Sequence, residues 1–166
     1  MSLIFKRKSV RSFRKEKVPD ELIENLLKAG MQAPSACNAQ PWEFIVVSDD
    51  EDKLAISRMH RFAAPASGAS HLIVTLGNLN ASKVHGMIEQ DLGACNENIL
   101  LQATYEGLGA VWLGFHPIED RTLKLKEYLN IPDYCIPFSV ICVGWPEREG
   151  KVTLRYDESK VHHDRF

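Results

Sequence analysis

The nine residues Pro34–Trp42 carry more hydrogen-bonding chemistry than a turn requires. A proline at each end disfavours helix before the stretch and favours extended backbone near its close. Between the prolines, the side chains that can donate or accept hydrogen bonds are Ser35, Asn38 and Gln40. Two interpretations stay open here: a polar loop anchored by a buried Trp42, or a loop that grips a flat ligand able to form hydrogen bonds.

A second stretch, near the N-terminus, interleaves basic residues with hydroxyls. Arg7, Ser9 and Arg11 are spaced two apart, so an extended backbone would point all three side chains to one side. Two guanidinium groups that flank a hydroxyl suit an anion, because the arginine fork matches phosphate oxygens. A basic run is also typical of a solvated surface. Phosphate binding and a solvated face are therefore the two alternatives.

The spacing of the cysteines and the absence of several catalytic motifs limit the reactions that the chain could catalyse. The four cysteines, Cys37, Cys95, Cys135 and Cys142, include no Cys-x-x-Cys pair, and no histidine cluster completes a zinc site. We predict free thiols and no metal. A catalytic thiol at Cys37 is an alternative, although no basic partner is evident near it in the sequence. The sequence also has no P-loop, no GxGxxG after a strand, no GxSxG and no HExxH.

Hydrophobic periodicity predicts the elements that position these stretches. Apolar spacing and capping residues predict helices near residues 3–8, 18–31, 50–59, 87–106 and 119–129. Apolar runs predict strands near residues 44–47, 71–77, 110–115 and 137–143. The helix at 87–106 is apolar on several sides, which indicates deep burial or a shared subunit interface. The small residues within Arg61–Ser70 indicate a mobile loop or a substrate lid. Together these elements predict a mixed α/β sandwich.

Composition limits the classes of partner. The chain has 166 residues, 45% of them hydrophobic and 25% charged, which predicts one domain spanning residues 1–166. A formal net charge of -2 gives no reason to expect nucleic acid. No stretch reaches the ~18 apolar residues of a membrane span, and the basic N-terminus lacks an apolar signal core. We therefore expect a cytoplasmic protein with neither nucleic-acid nor membrane partners.

Four segments, in order and at fitting spacing, resemble the flavin-dependent nitroreductase family. Arg7–Phe13 resembles its RxSxRxF pattern, and Pro34–Trp42 resembles its PSxxNxQPW loop. Gly107–Gly114 resembles its GLGxxWxG segment, and Arg155–His162 is similar to the closing stretch of many members. The likeness covers nearly the whole chain, and four motifs in order are far more specific than any one of them.

The resemblance implies an α+β fold with a central, mostly antiparallel sheet flanked by helices, in an intertwined homodimer with one FMN at each of two interface sites. By motif position, it implies these FMN-binding residues: Arg7, Lys8, Ser9, Arg11 and Arg155; Trp112, Leu113 and Gly114 beside the isoalloxazine ring; and Pro34, Ser35, Ala36, Asn38 and Gln40 from the other subunit. Within Arg61–Ser70, neither the Asn nor the Lys that contacts the flavin edge in larger members is present.

The implied activity is a ping-pong, two-electron hydride transfer from NADH or NADPH to nitroaromatic, quinone or similar electron-poor acceptors. Flavin N5 would carry the chemistry, and no catalytic side chain is required. Three alternatives stay open. The same fold could support other flavin chemistry, such as reductive dehalogenation or oxidation. The protein could be a flavin-binding redox carrier or sensor without turnover. A phosphate-binding module without flavin is the third.

Overall fold

The computed structural model describes residues 2–166. Its α-helices are α1 (Leu3–Lys6), α2 (Asp20–Met31), α3 (Asp50–Ser57), α4 (Ile88–Tyr105) and α5 (Glu119–Tyr128). Its β-strands are β1 (Trp42–Val47), β2 (His71–Asn78), β3 (Gly109–Gly114) and β4 (Cys135–Gly144). The predicted elements and their order agree with these within a few residues at each end.

The four strands form one antiparallel sheet in the order β1-β2-β4-β3. The central strand β2 is buried over seven of its eight residues, as expected for its continuous apolar run. Successive side chains of this strand point to opposite faces. Ile73 packs with α2 and α4 on one face, while Leu72 and Val74 pack with α3 and α5 on the other. The expected α/β sandwich with a central antiparallel sheet is confirmed.

Local sequence signals account for the helix ends. The Asp49 carboxylate caps α3 by accepting hydrogen bonds from the backbone N–H groups of Glu51 and Asp52, at 2.9 and 3.1 Å. The first helix stops at Lys6 rather than continuing toward residue 8, because Arg7 already has extended torsions. Among the described residues, no helix is both long enough and apolar enough to cross a membrane.

The segment Arg61–Ser70, expected as a mobile loop or lid, is a folded turn packed on α3. A 3-10 turn spans Ala64–Gly68, and the side chains of Ala63, Ala66 and Ala69 are buried. The buried Lys53 ammonium donates to the carbonyl of Ala69 at 2.9 Å and fastens the turn to α3. Small side chains here allow close approach of the backbone, so they mark tight packing and not its absence.

Candidate functional site

The basic N-terminal segment lies across the ends of two strands. Ser9 pairs with Ala110 of β3 in a parallel bridge, and Phe13 pairs with Pro146 just after β4. The Val10 backbone N–H donates to the Ala110 carbonyl at 2.9 Å. The expected extended conformation is thus present from Ser9 onward, and the sheet fixes the segment in place.

A narrow cleft of about 180 Å³ runs beside this segment. Its polar lining residues are Lys8, Ser9, Arg11, Ser12 and Arg148. The Lys8 ammonium donates to the Gly150 carbonyl at 2.6 Å, which holds the lysine at the mouth of the cleft. Three cationic side chains and two hydroxyls form a donor set suited to a phosphate group. Sequence reasoning missed Arg148, because nothing in the polar tail distinguished it.

Arg7 is not among the residues that line this cleft. Its Nε atom lies 3.3 Å from the Glu97 carboxylate on α4, and its side chain is largely buried. Arg7 ends α1, and the paired extended run begins only at Ser9. The expectation that Arg7 shares one side with Ser9 and Arg11 therefore stays a prediction. Of the N-terminal residues predicted to bind FMN, the cleft brings together Lys8, Ser9 and Arg11.

A larger cavity of about 440 Å³ opens on the other side of Arg11. The predicted residues Trp112, Leu113 and Gly114 line it, so one arginine borders both the phosphate-sized cleft and this cavity. The remaining lining residues include four that sequence reasoning did not select: His60, Arg61, Phe62 and Arg121. They reach the cavity from the turn after α3 and from α5, and no local motif marks them.

The exposed edge of β3 presents backbone groups to this cavity. β3 is an edge strand, and Ala110 turns its carbonyl outward to Val10. By the two-residue period of a strand, Trp112 and Gly114 also direct their N–H and C=O groups outward. One Arg121 Nη1–H donates to the Gly114 carbonyl at 3.0 Å. A Cβ atom on Gly114 would have no neighbour within 4 Å, so open space faces this glycine.

His60 forms part of the cavity wall in its neutral form. Its ring lies edge-on to Phe115 with centroids 4.9 Å apart, and Nδ1 accepts a hydrogen bond from the Phe62 N–H at 3.3 Å. Burial, together with the nearby Arg121 charge, lowers the pKa of His60 below its ordinary value. Neutral His60 therefore carries its proton on Nε2, which is buried and has no hydrogen-bond partner within residues 2–166.

The predicted ligand loop has an unusual backbone. The backbone φ angles of Cys37, Asn38 and Gln40 are 54°, 51° and 50°, which lie in the left-handed region that residues other than glycine rarely adopt. The Ser35 hydroxyl accepts from the Gln40 N–H at 2.9 Å and closes the loop on itself. Such strain persists only where the surroundings hold it, and it often accompanies binding sites.

Two side chains outside the loop support it. Asp91 of α4 is 6% exposed, and its Oδ1 atom accepts from the Ala36 N–H at 2.9 Å. The Lys83 ammonium donates to the Cys37 carbonyl at 3.2 Å. These two contacts hold the backbone of the loop in one conformation on the surface of the protein.

The loop and the C-terminal tail do not complete the site within one chain. Among residues 2–166, neither the loop residues Pro34, Ser35, Ala36, Asn38 and Gln40 nor Arg155 line the cleft or the cavity. Every residue from 147 to 166 is exposed, including the large apolar side chains of Leu154 and Tyr156. One chain thus presents the Arg11 and Trp112–Gly114 half of the predicted site.

All four thiols are free, and three of them are buried. Burial raises the pKa of Cys95 to about 12 and that of Cys135 to about 11, and it raises the pKa of Cys142 further. Cys37 is exposed. Within the part of the chain that the structure describes, no group of three His, Cys, Asp or Glu side chains could hold a metal ion.

Comparison with known proteins gives a consistent result. The model of the nitroreductase family matches residues 4–73 and 70–145. A candidate NADH dehydrogenase/NAD(P)H nitroreductase of Archaeoglobus fulgidus is 39% identical over 170 residues, covering 100% of this chain and 98% of that protein. The crystal structure of a candidate NADH oxidase from Clostridium acetobutylicum is 44% identical, with a TM-score of 0.97 over 99% of this chain and 100% of that one. A candidate nitroreductase from Desulfovibrio desulfuricans, solved in complex with FMN, is 30% identical, with a TM-score of 0.88 over 99% and 95% of the two chains.

Proposed function

The chain belongs to the nitroreductase family, and from that premise we propose that it is an FMN-dependent oxidoreductase. It takes hydride from NADH or NADPH and passes two electrons to nitroaromatic, quinone or similar electron-poor acceptors in a ping-pong reaction. When bound, FMN supplies the reversible two-electron chemistry, and the protein supplies position and electrostatics.

The observation that carries this proposal is that Arg11 borders both the cleft and the cavity. FMN has a phosphate at one end and a planar ring at the other. The cleft provides the cations and hydroxyls that a phosphate needs, through Lys8, Ser9 and Arg148. The cavity provides Trp112 and the outward-facing edge of β3 for the ring. Two adjoining spaces with these separate chemistries fit one molecule of FMN.

The residues around the cavity perform distinct tasks in this proposal. The outward-facing backbone groups of Trp112 and Gly114 would form hydrogen bonds with the ring, and Arg121 donates to the Gly114 carbonyl at 3.0 Å beside them. Arg11 places positive charge at the ring, which favours the negative charge that arrives with two electrons. Arg7 forms an ion pair with Glu97 of α4. No proton-transferring side chain is assigned, in agreement with the sequence.

We further propose that the active form is a homodimer in which each FMN lies between two chains. The loop residues Pro34, Ser35, Ala36, Asn38 and Gln40, and Arg155 in the tail, would then complete sites that a single chain leaves open. Two features support this. The strained loop is held as a rigid surface by Asp91, and the exposed tail carries apolar side chains that a partner would cover.

The test is an anaerobic two-stage reaction with the FMN-loaded protein. Addition of NADH or NADPH is expected to bleach the flavin absorbance, and subsequent addition of p-benzoquinone or 4-nitrobenzamide is expected to restore it. Protein that binds FMN but is not bleached by either nucleotide would contradict the enzyme activity and favour a carrier or sensor. Matched nitro and halogenated acceptors, with analysis of the products, separate nitroreduction from reductive dehalogenation.

A further inference from the structure

The cavity beside Gly114 is lined by three guanidinium groups and by no acidic residue. Arg11, Arg61 and Arg121 belong to its wall together with the aromatic side chains of Phe62 and Trp112. Like charges around one cavity repel each other, and a low-dielectric wall strengthens the field that they produce. Such an arrangement becomes favourable when an anion enters.

The protein itself does not neutralise these charges. Within residues 2–166, none of the guanidinium groups of Arg11, Arg61 and Arg121 lies within 4.0 Å of a carboxylate. By contrast, the neighbouring Lys124 on α5 is paired with Asp120 at 2.8 Å. In the described part of the chain, the three arginines of this cavity therefore face one another without a carboxylate to offset their charge.

Two of the three arginines are held in position. The Arg121 guanidinium is oriented by its hydrogen bond to the Gly114 carbonyl at 3.0 Å. The Arg61 guanidinium lies over the Phe62 ring, 4.5 Å from the centroid, in a cation–π contact. Both contacts leave other N–H donors of the guanidinium free, because each group has five. The forks are therefore available to bind a carboxylate or a phosphate oxygen pair.

The proposed cofactor does not account for all this charge. The phosphate of FMN fits the separate cleft beside Lys8 and Arg148. The oxidised ring is neutral, and two-electron reduction gives it one negative charge, for which Arg11 is the neighbouring cation. Arg61 and Arg121 are left for the second reactant.

We propose that Arg61 and Arg121 bind an anionic group on the electron acceptor, and that the preferred acceptors are small planar aromatic compounds bearing a carboxylate. This inference rests on the proposed function and names the substrate class of that site. Phe62, 56% exposed, offers an aromatic face beside the cations on which a planar acceptor can stack. The other source of an anion is the diphosphate of the nicotinamide nucleotide, and the experiment below separates the two.

The test compares two acceptors that differ in one charge. 4-Nitrobenzoate and 4-nitrobenzamide are titrated into the oxidised, FMN-loaded protein without reductant, and dissociation constants are read from the shift of the flavin absorbance. We expect the carboxylate to bind at least about tenfold more tightly than the amide, the effect of one charge-assisted contact. Arg61→Gln should remove most of that preference and leave the affinity for the amide within about twofold. Arg121→Gln should also remove most of the preference, measured as the ratio of the two dissociation constants in that variant, because its contact with Gly114 affects both ligands.

Lys124→Gln is the matched control, since it removes a cation from the same helix as Arg121 but one already paired with Asp120. It should keep the full preference. Equal binding of the two compounds by the parent, or a preference unchanged in both arginine variants, would overturn the inference. So would variants that weaken NAD⁺ or NADP⁺ binding and leave the carboxylate unaffected. A protein that binds no FMN would contradict the proposed function itself, and this inference with it.

Discussion

A Cβ atom on Gly109 would lie 2.7 Å from Cγ1 of Val10, closer than packed side chains approach. Gly109 begins β3, and Val10 belongs to the basic segment that lies across it. The missing side chain at residue 109 therefore lets the segment lie directly on the sheet, between the cleft and the cavity.

Gly109→Ala is accordingly expected to destabilise the protein by about 1–3 kcal/mol, the usual range for an overpacked contact, and to weaken FMN binding by shifting Arg11. Val10→Ala in the same chain should recover part of the loss, because it removes the clashing methyl groups. Urea unfolding of the two single variants and the double variant measures the coupling. Additive effects of the two substitutions would show that the contact does not set the position of the segment.

Gly114→Val separates ligand binding from folding. Open space faces Gly114, so the added side chain should leave the free energy of unfolding of the FMN-free protein almost unchanged while it fills the proposed ring site. We expect FMN affinity to fall by more than tenfold in a fluorescence titration. Gly68→Val is the control, because Gly68 also faces open space but lies outside the cavity. Normal FMN binding by Gly114→Val would place the ring elsewhere.

Arg11→Ala and Arg155→Ala test the phosphate contacts. Each should weaken FMN binding by roughly ten- to a hundredfold, the effect of losing about 1.5–3 kcal/mol of charge-assisted hydrogen bonding. The structure supplies the position for Arg11 alone, in the wall of the cleft. Arg155, in the exposed tail, acts only if a second chain brings it to the site. Unchanged affinity in Arg155→Ala with a loss in Arg11→Ala would restrict the phosphate site to the residues of one chain.

The buried His71 makes stability depend on pH. It is 2% exposed, and burial lowers its pKa from 6.5, although the attraction of Asp20 opposes the shift. The unfolded chain binds the His71 proton more tightly than the folded protein does. The contribution of His71 to the free energy of unfolding is therefore complete above about pH 6.5, and it is lost as the pH falls from there through the lowered pKa of the folded state. The stability advantage of the parent over His71→Gln should thus be smaller at pH 5.5 than at pH 7.5. Urea unfolding at one protein concentration measures it, and a larger advantage at pH 5.5 would contradict the assignment.

Local patterns were sufficient for the helices and strands, whereas the antiparallel sheet was implied by the family resemblance. Three signals are readable from neighbouring residues alone: the apolar run of β2, the Asp49 cap of α3 and the apolar surface on several sides of α4. The structure has the predicted helix or strand at each of them. For the Arg61–Ser70 segment, composition alone did not show that Ala63, Ala66 and Ala69 are buried. That depended on a distant partner, the Lys53 ammonium.

The candidate site was predictable where its residues form continuous motifs. Ser9, Arg11 and Trp112–Gly114 meet at the two spaces as the motif positions suggest. Arg121 and Arg148 were not predictable, since each is one basic residue among many until the topology brings α5 and the tail beside β3. The pairing of Arg7 with Glu97 also required the fold, because these residues are 90 positions apart.

The central claim is that two chains together bind FMN at the Arg11 and Trp112–Gly114 surface. Sedimentation velocity of the FMN-loaded protein, recorded at both the protein and flavin absorbance bands, tests it most directly. We predict one boundary at the mass of a dimer, carrying one FMN per chain, and release of flavin when dilution or mild denaturant produces monomer. A stable monomer that retains its flavin would contradict the shared site. A dimer boundary without flavin absorbance, in the presence of excess FMN, would contradict the proposal that FMN is the cofactor.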